Sequence, residues 1–275
     1  MAKKLKKLVS DLSYIGPRRV LRGDLADIGM KGSIYAPTGR VPAPVVFLIH
    51  DWLSPASFYK EWARHLASWG IACVVPSLDR SLLTDAAALA DETEAIIERL
   101  LTCPLGKGAA PLDRNRVGLF GHGLGGSVVA LLAKHRPTLN GIVSAYPTEC
   151  VPDPIVKATG CKVPALFIAP TETAIVNIDI SRALGNTWGE NAIVRTFPGA
   201  TRVGLVSSSI FERLGLTEKN DSKVLKKQKA TVTGFFLATV MGDKDYDAFT
   251  TEEEIKGSEV VLTAHDEFMR EHEDN

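Results

Sequence analysis

Residues 116–126 read Arg116-Val117-Gly118-Leu119-Phe120-Gly121-His122-Gly123-Leu124-Gly125-Gly126, and they leave the chain little conformational choice. Val117 to Phe120 is a short apolar run, the pattern of a buried strand. Glycines then alternate at 121, 123 and 125, and Ser127-Val128-Val129-Ala130-Leu131-Leu132-Ala133-Lys134 opens a helix. Glycine at alternate positions lets strand and helix backbones approach closely, and it accommodates a strained conformation at the tip of the turn. The motif predicts a strand, a tight turn and a helix.

The flanking chain repeats that alternation. Arg19 to Asp27 and Lys31 to Ala36 read as two antiparallel strands, and Pro44-Val45-Val46-Phe47-Leu48-Ile49-His50 as a strand buried on both faces. Phe58 to Trp69 is helical, Ile71 to Pro76 a strand, and Leu83 to Leu101 a helix. Beyond the glycine turn, strands are expected at Gly141–Ala145, Val163–Ala169 and Ala192–Phe197. Helices are expected at Ile178–Leu184 and Lys223–Met241, the last stopped by Gly242. The pattern predicts an α/β fold with a mostly parallel, doubly wound sheet flanked by helices. Its expected divisions are a basic N-terminal segment over 1–18, one domain over 19–249 and an acidic C-terminal tail over 250–275.

Basic and acidic side chains balance at 32 each, which argues against a broad nucleic-acid surface. No apolar run reaches the length of a membrane span. Cys73, Cys103, Cys150 and Cys161 have no metal-binding spacing, and the six histidines never pair with ligand partners at such spacing; no metal and no cofactor are expected. Cys150 and Cys161 bracket one loop without demanding a bridge. Asp11 interrupts the apolar part of the N-terminus, which does not read as a signal peptide; cytoplasmic residence is expected. Leu5, Leu8, Val9, Leu12 and Ile15 fall at helical spacing beside Lys3, Lys4, Lys6 and Lys7. That stripe reads either as a helix packed on the domain or as a peripheral contact with a partner or an anionic membrane face.

The strand–glycine turn–helix resembles the G-x-S-x-G nucleophile elbow of α/β-hydrolases, with Gly123 in place of the serine. Further stretches resemble the dienelactone-hydrolase-like enzymes, and within them the bacterial cutinase and polyester-hydrolase branch. Arg64 to Val74 is similar to that family's "RLASHGFVV", and Asp113 to Gly126 to its "D-xx-R-lgvmGHSmGG". Val163 to Ile168 is similar to the strand before the catalytic acid, and Asp245-Tyr246-Asp247-Ala248-Phe249 to its closing "D-xx-Y-xx-F". The resemblance spans roughly residues 20–250. It implies an α/β-hydrolase fold, a Ser–Asp–His triad in that chain order, an oxyanion hole and ester hydrolysis.

Each triad position departs from the pattern. The nucleophile falls on Gly123, the acid on Thr173 with Glu172 beside it, and the base on Arg202 in the turn Pro198-Gly199-Ala200-Thr201-Arg202. No histidine lies between His135 and His265. A serine at the elbow carries roughly 1–3 kcal/mol of backbone strain for the sake of an exposed Oγ; glycine removes both. Acyl transfer needs an activated hydroxyl, an imidazole and a carboxylate to orient it. Glycine, threonine and arginine supply none of these roles, so the resemblance implies a pseudoenzyme, a pseudohydrolase acting as a ligand-binding or protein-interaction module.

By the same resemblance the oxyanion-hole amides belong to Trp52 and Leu124. Arg202 then has two readings. It puts a positive charge beside those amides and, with His50 and Asp51, forms a site for an acyl or anionic small molecule; or it pairs with Asp51 or Glu172 and closes the cleft. His50 and Asp51 are expected to be structural, His122 to pack beneath the turn, and Ser127 to face the sheet without a base. The alternative function is a residual or relocated carboxylic-ester hydrolase using water held by His50, Asp51 or Glu172.

Overall fold

The structure is a computed structural model that describes residues 2–52, 54–78, 85–171, 180–206 and 222–261. Its strands are β1 (Val20–Asp24), β2 (Gly32–Pro37), β3 (Ala43–Ile49), β4 (Ala72–Pro76), β5 (Leu112–His122), β6 (Gly141–Ala145), β7 (Ala165–Ala169), β8 (Ala192–Thr196) and β9 (Glu259–Val261). They form one sheet in the order β1-β2-β4-β3-β5-β6-β7-β8-β9. β1 with β2, β2 with β4, and β8 with β9 pair antiparallel; every pairing between β4 and β8 is parallel. This is the mostly parallel sheet of an α/β-hydrolase fold.

Helices cover both faces. α3 (Ala86–Thr102), α4 (Leu124–His135) and α6 (Ile180–Trp188) pack on one. α1 (Ala2–Leu12), α2 (Lys60–Ser68) and α7 (Ser222–Thr239) pack on the other, while the single-turn α5 (Pro154–Lys157) lies against the first layer. The unbroken apolar run of β3 now has its reason. Val45, Phe47 and Ile49 enter one core, Val46 and Leu48 the other, and all five are fully buried. Period-two side chains between two helical layers require apolar residues at every position.

The strand expected over Arg19–Asp27 ends at Asp24, because the Asp24 side chain accepts from the Ala26 N–H and caps a 3-10 turn, Leu25–Ile28. Likewise the helix expected from Phe58 begins as a 3-10 turn, Ala56–Tyr59, before α2. Strand β5 starts at Leu112, five residues before the apolar run. The start of the helix expected from Leu83 lies outside the described residues.

The described parts of both expected terminal segments join the domain. Leu5 and Leu12 of α1 are buried against the same core as α7 and Leu8 and Val9 pack against it, so these four face inward, whereas Ile15, beyond α1, is half exposed. Lys6 and Lys7 are exposed, and Lys4 donates to Asp245 at 2.8 Å. The acidic tail expected from residue 250 contains β9 and the fully buried Ile255. A buried arginine holds it. Arg195 on β8 is fully buried and donates through Nη2 to the carbonyls of Thr251 and Glu253, each at 2.8 Å, and through Nη1 to Ser258 Oγ at 3.2 Å. Burial pulls Arg195 down to about 10, so the guanidinium stays charged at neutral pH. Among the described residues no helix is long and apolar enough to cross a membrane.

Replacing Arg195 with methionine removes the donor to the buried Ser258 hydroxyl and to the two part-buried carbonyls of Thr251 and Glu253, and a buried polar group left unpaired costs about 1–3 kcal/mol. Urea denaturation of Arg195→Met is expected to show a loss of roughly 2–5 kcal/mol with the sheet retained. A loss below about 0.5 kcal/mol would mean that this arginine does not hold residues 251–258.

Candidate functional site

The turn after β5 is built on close backbone approach. A Cβ on Gly121 would lie 2.1 Å from the Gly125 carbonyl oxygen, and one on Gly125 would lie 2.2 Å from that of Ile49. Between them Gly123 adopts φ 58°, ψ −123° and donates its N–H to the Ala145 carbonyl at 2.9 Å. That conformation is strained for any residue with a side chain. The turn therefore sits at the carboxyl end of the central strand, beside the ends of β3 and β6, where α/β sheets place their sites.

What fills the turn is the carboxylate of Asp51. A Cβ on Gly123 would lie 2.4 Å from both Cγ and Oδ1 of Asp51, and 2.8 Å from Nη2 of Arg202. Asp51 Oδ1 accepts from the Trp52 N–H at 2.9 Å and from the Leu124 N–H at 3.2 Å. The two amides assigned by resemblance to an oxyanion hole thus converge on one oxygen, and that oxygen belongs to the protein. Arg202 Nη2 donates to Oδ1 at 2.9 Å and to Oδ2 at 2.8 Å. The carboxylate is 4% exposed and the guanidinium 35%, so a cation at the mouth of the turn faces an anion sealed beneath it.

A relay of hydrogen bonds fixes both partners. The Asp51 N–H donates to Tyr59 Oη at 3.0 Å, and Tyr59 Oη lies 2.6 Å from His122 Nδ1. His122 Nε2 lies 3.0 Å from the Arg202 carbonyl oxygen, which can only accept. This assigns the proton to Nε2, so that Nδ1 accepts from Tyr59 Oη–H. Complete burial, ahead of the Arg202 charge, pushes His122 down to about 4; the neighbouring Asp51 charge opposes that shift. The imidazole is neutral at physiological pH. Burial also raises Tyr59 well above the usual phenol range. Trp62 Nε1 donates to the Leu205 carbonyl at 2.7 Å and anchors the turn that follows Arg202.

The other singled-out residues fall into place around this pair. His50 is buried; its Nε2 accepts from the Leu78 N–H at 3.0 Å, which leaves Nδ1–H to donate to the Asp51 carbonyl at 3.0 Å. Its ring is thus turned from the turn at Gly123, although Asp51 is next in sequence. Ser127 Oγ donates to the Thr148 carbonyl and accepts from the Thr148 N–H, a structural bridge. Trp62 and Trp188 are core, whereas Trp52 is exposed. Of the two readings of Arg202, the structure bears the pair with Asp51; Glu172 and Thr173 lie outside the described residues. Cys73, Cys103, Cys150 and Cys161 are all free thiols. Among the described residues no group of three His, Cys, Asp or Glu side chains gathers to hold a metal ion.

No motif in the sequence singles out Tyr59. Its phenol is the hinge between Asp51 and His122, yet its signal is weak: one tyrosine at the head of a helix, fully buried only once α2 docks. Nor does any motif single out Tyr146, the residue after β6. It holds φ 52°, a conformation uncommon outside glycine, and its ring stands 6.2 Å from His122.

The family model described as the dienelactone hydrolase family matches residues 30–203 of this chain, a span that includes β2 to β8, Gly123 and Arg202. No curated protein matches.

Two measurements probe the arrangement. Gly123→Ser is expected to destabilise the protein by at least ~2 kcal/mol, from backbone strain and expulsion of the Asp51 carboxylate. In an Asp51→Gly background that penalty should shrink by more than ~1 kcal/mol, the coupling of two groups that share one volume. Strict additivity would place the carboxylate elsewhere. The second is pH. The folded His122 titrates at about 4 against 6.5 for an ordinary histidine, so the unfolded chain binds the extra proton first. Stability contributed by the neutral ring is complete above pH 6.5 and is lost as pH falls toward about 4. Wild type should lose up to ~1.4 kcal/mol per pH unit more than His122→Gln across that window; parallel curves would refute the neutral buried imidazole.

Proposed function

The chain belongs to the dienelactone hydrolase family, and we propose that it is a member that does not hydrolyse esters and serves instead as a binding or interaction module. The observation that carries the reading is the Asp51 carboxylate, which accepts both oxyanion-hole amides within the space of an elbow nucleophile. Hydrolysis at this site needs donors free for the oxygen that becomes negative in the transition state. Here the donors already hold a full negative charge. A substrate oxyanion would meet Asp51 as a repelling neighbour, with no hydroxyl on Gly123 to attack and no imidazole at position 202 to accept a proton.

Within the family we place the chain nearest the bacterial cutinase and polyester-hydrolase branch, on the stretches 64–74 and 245–249. Four free thiols suit a reducing compartment such as the cytoplasm. Contact of α1 with an anionic membrane face would run through the exposed heads of Lys6 and Lys7, because Leu5, Leu8, Val9 and Leu12 pack inside.

One observation favours a second reading, relocated ester hydrolysis. A carboxylate does stand at the two amides, and its partner Arg202 is open enough to solvent to swing away. Asp51 released from the amides would be a base beside a vacated oxyanion hole.

Assays with short and long p-nitrophenyl acyl esters separate the two. The non-hydrolytic reading expects no turnover above buffer for wild type, and none for Arg202→Ala. Turnover that Asp51→Ala abolishes would establish the relocated hydrolase. Native mass spectrometry and pelleting with phosphatidylserine vesicles, on the same preparation, report a retained acyl ligand or a membrane contact that Lys6→Glu with Lys7→Glu should release.

A further inference from the structure

A cavity of about 670 Å³ opens at the corner of the sheet between β1, β2 and β4 and the start of α2. Its lining includes neither Asp51, Leu124 nor Arg202, so it is separate from the turn at Gly123. The strand register explains its chemistry. Arg22 stands opposite Tyr35, Tyr35 opposite Cys73, and Ser33 opposite both Asp24 and Val75. Residues paired in this way project from one face of the sheet. That face is covered farther in by α2 and left open at the corner, where Arg22, Tyr35, Ser33 and Val75 all reach the cavity.

Three cations meet there. Arg22 comes from β1, Lys31 from the residue before β2, and Lys60 from the first position of α2. Among the described residues none of the three has a carboxylate within 4.0 Å. Arg22 is held in place by neutral groups: its Nη2 donates to Ser33 Oγ at 3.1 Å, beside the Tyr35 hydroxyl. The one acid in the lining, Asp24, is engaged in capping the turn at Ala26. In a chain with no net charge, the lining of this corner carries a surplus of two positive charges, three cations less one carboxylate, and Glu61 acts on Tyr35 from outside the lining. Val75, Met30 and Ala56 add an apolar surface next to them.

We propose that this cavity binds a phosphate monoester with a small apolar or aromatic body. A phosphomonoester carries nearly two negative charges at neutral pH and three acceptor oxygens, which matches the surplus and the number of donors. A carboxylate would leave one cation unmatched. Cavities of roughly 300–1,000 Å³ suit a small molecule rather than a bare ion, and the apolar wall gives the ester's body something to cover. The assignment is independent of whether the turn at Gly123 performs chemistry.

The test is calorimetric titration of the full chain with phenyl phosphate, inorganic phosphate and phenol at low ionic strength. Phenyl phosphate is expected to bind one site and to weaken as salt rises. Lys31→Met with Lys60→Met, both exposed and so harmless to the core, should weaken it by about tenfold per cation removed. Lys60→Arg should restore most of that loss, and Lys162→Met, at an exposed lysine outside the cavity, should change nothing. Inorganic phosphate and phenol should each bind at least about tenfold more weakly than the ester. The proposal falls if phenyl phosphate does not bind at millimolar concentration. It falls also if the double lysine variant binds as wild type, if Lys162→Met weakens binding as much as the double variant does, or if inorganic phosphate binds as tightly as the ester.

Discussion

A carboxylate buried to 4% exposure has to be satisfied on every side, and the site is arranged around that demand. Two backbone amides and a guanidinium meet Asp51. Charge-assisted bonds of this kind are the strong ones in a folded protein, and stripping one partner from a buried ion costs several kcal/mol. The identities of Gly123 and Arg202 follow from the same requirement. Any larger residue at 123 would enter the carboxylate, and a neutral residue at 202 would leave it without a counter-ion. Two departures from the hydrolase pattern that look independent along the chain are one event in space.

Such a pair is only as good as the frame that aims it. Asp51 lies two residues beyond the fully buried strand β3, while Arg202 lies on the turn after β8. The bridge between them runs through Tyr59 and His122 to the Arg202 carbonyl, with Trp62 fastening Leu205 just beyond. Each group in that relay is buried and has one assignable protonation state, so the relay has a single arrangement. His122 occupies the variable position of the turn and becomes its keystone, because a neutral imidazole can accept from one neighbour and donate to another.

The sheet was legible in the sequence wherever a strand is apolar on both faces. β3, β4, β6, β7 and β8 lie within two residues of where the runs place them. Misreadings fall where another interaction overrode the local pattern. Asp24 ends β1 early by capping the next turn. The segment after residue 250 looks like solvent-exposed tail because its acids outnumber its apolar residues, yet Arg195 offers its carbonyls a buried cation and β8 offers an open edge. At the site, the sequence marked Trp52, Leu124, Arg202, His50 and Asp51 as neighbours. It could not show that Asp51 turns toward the amides while His50 turns toward Leu78, since both lie in the loop beyond β3, where tertiary partners set the side-chain directions.

By itself the sequence determined the α/β fold, the glycine turn and the absence of serine, aspartate and histidine from the three triad positions, because these depend on residue identity and period alone. The tertiary structure decided what took their place. Whether Arg202 faces solvent or a carboxylate, and whether two amides stand open or closed, depends on side chains 151 residues apart meeting in one volume. The three cations of the β1–β2–β4 corner meet for the same reason: strand register and helix docking, which no local pattern encodes, bring Arg22, Lys31 and Lys60 to one cavity.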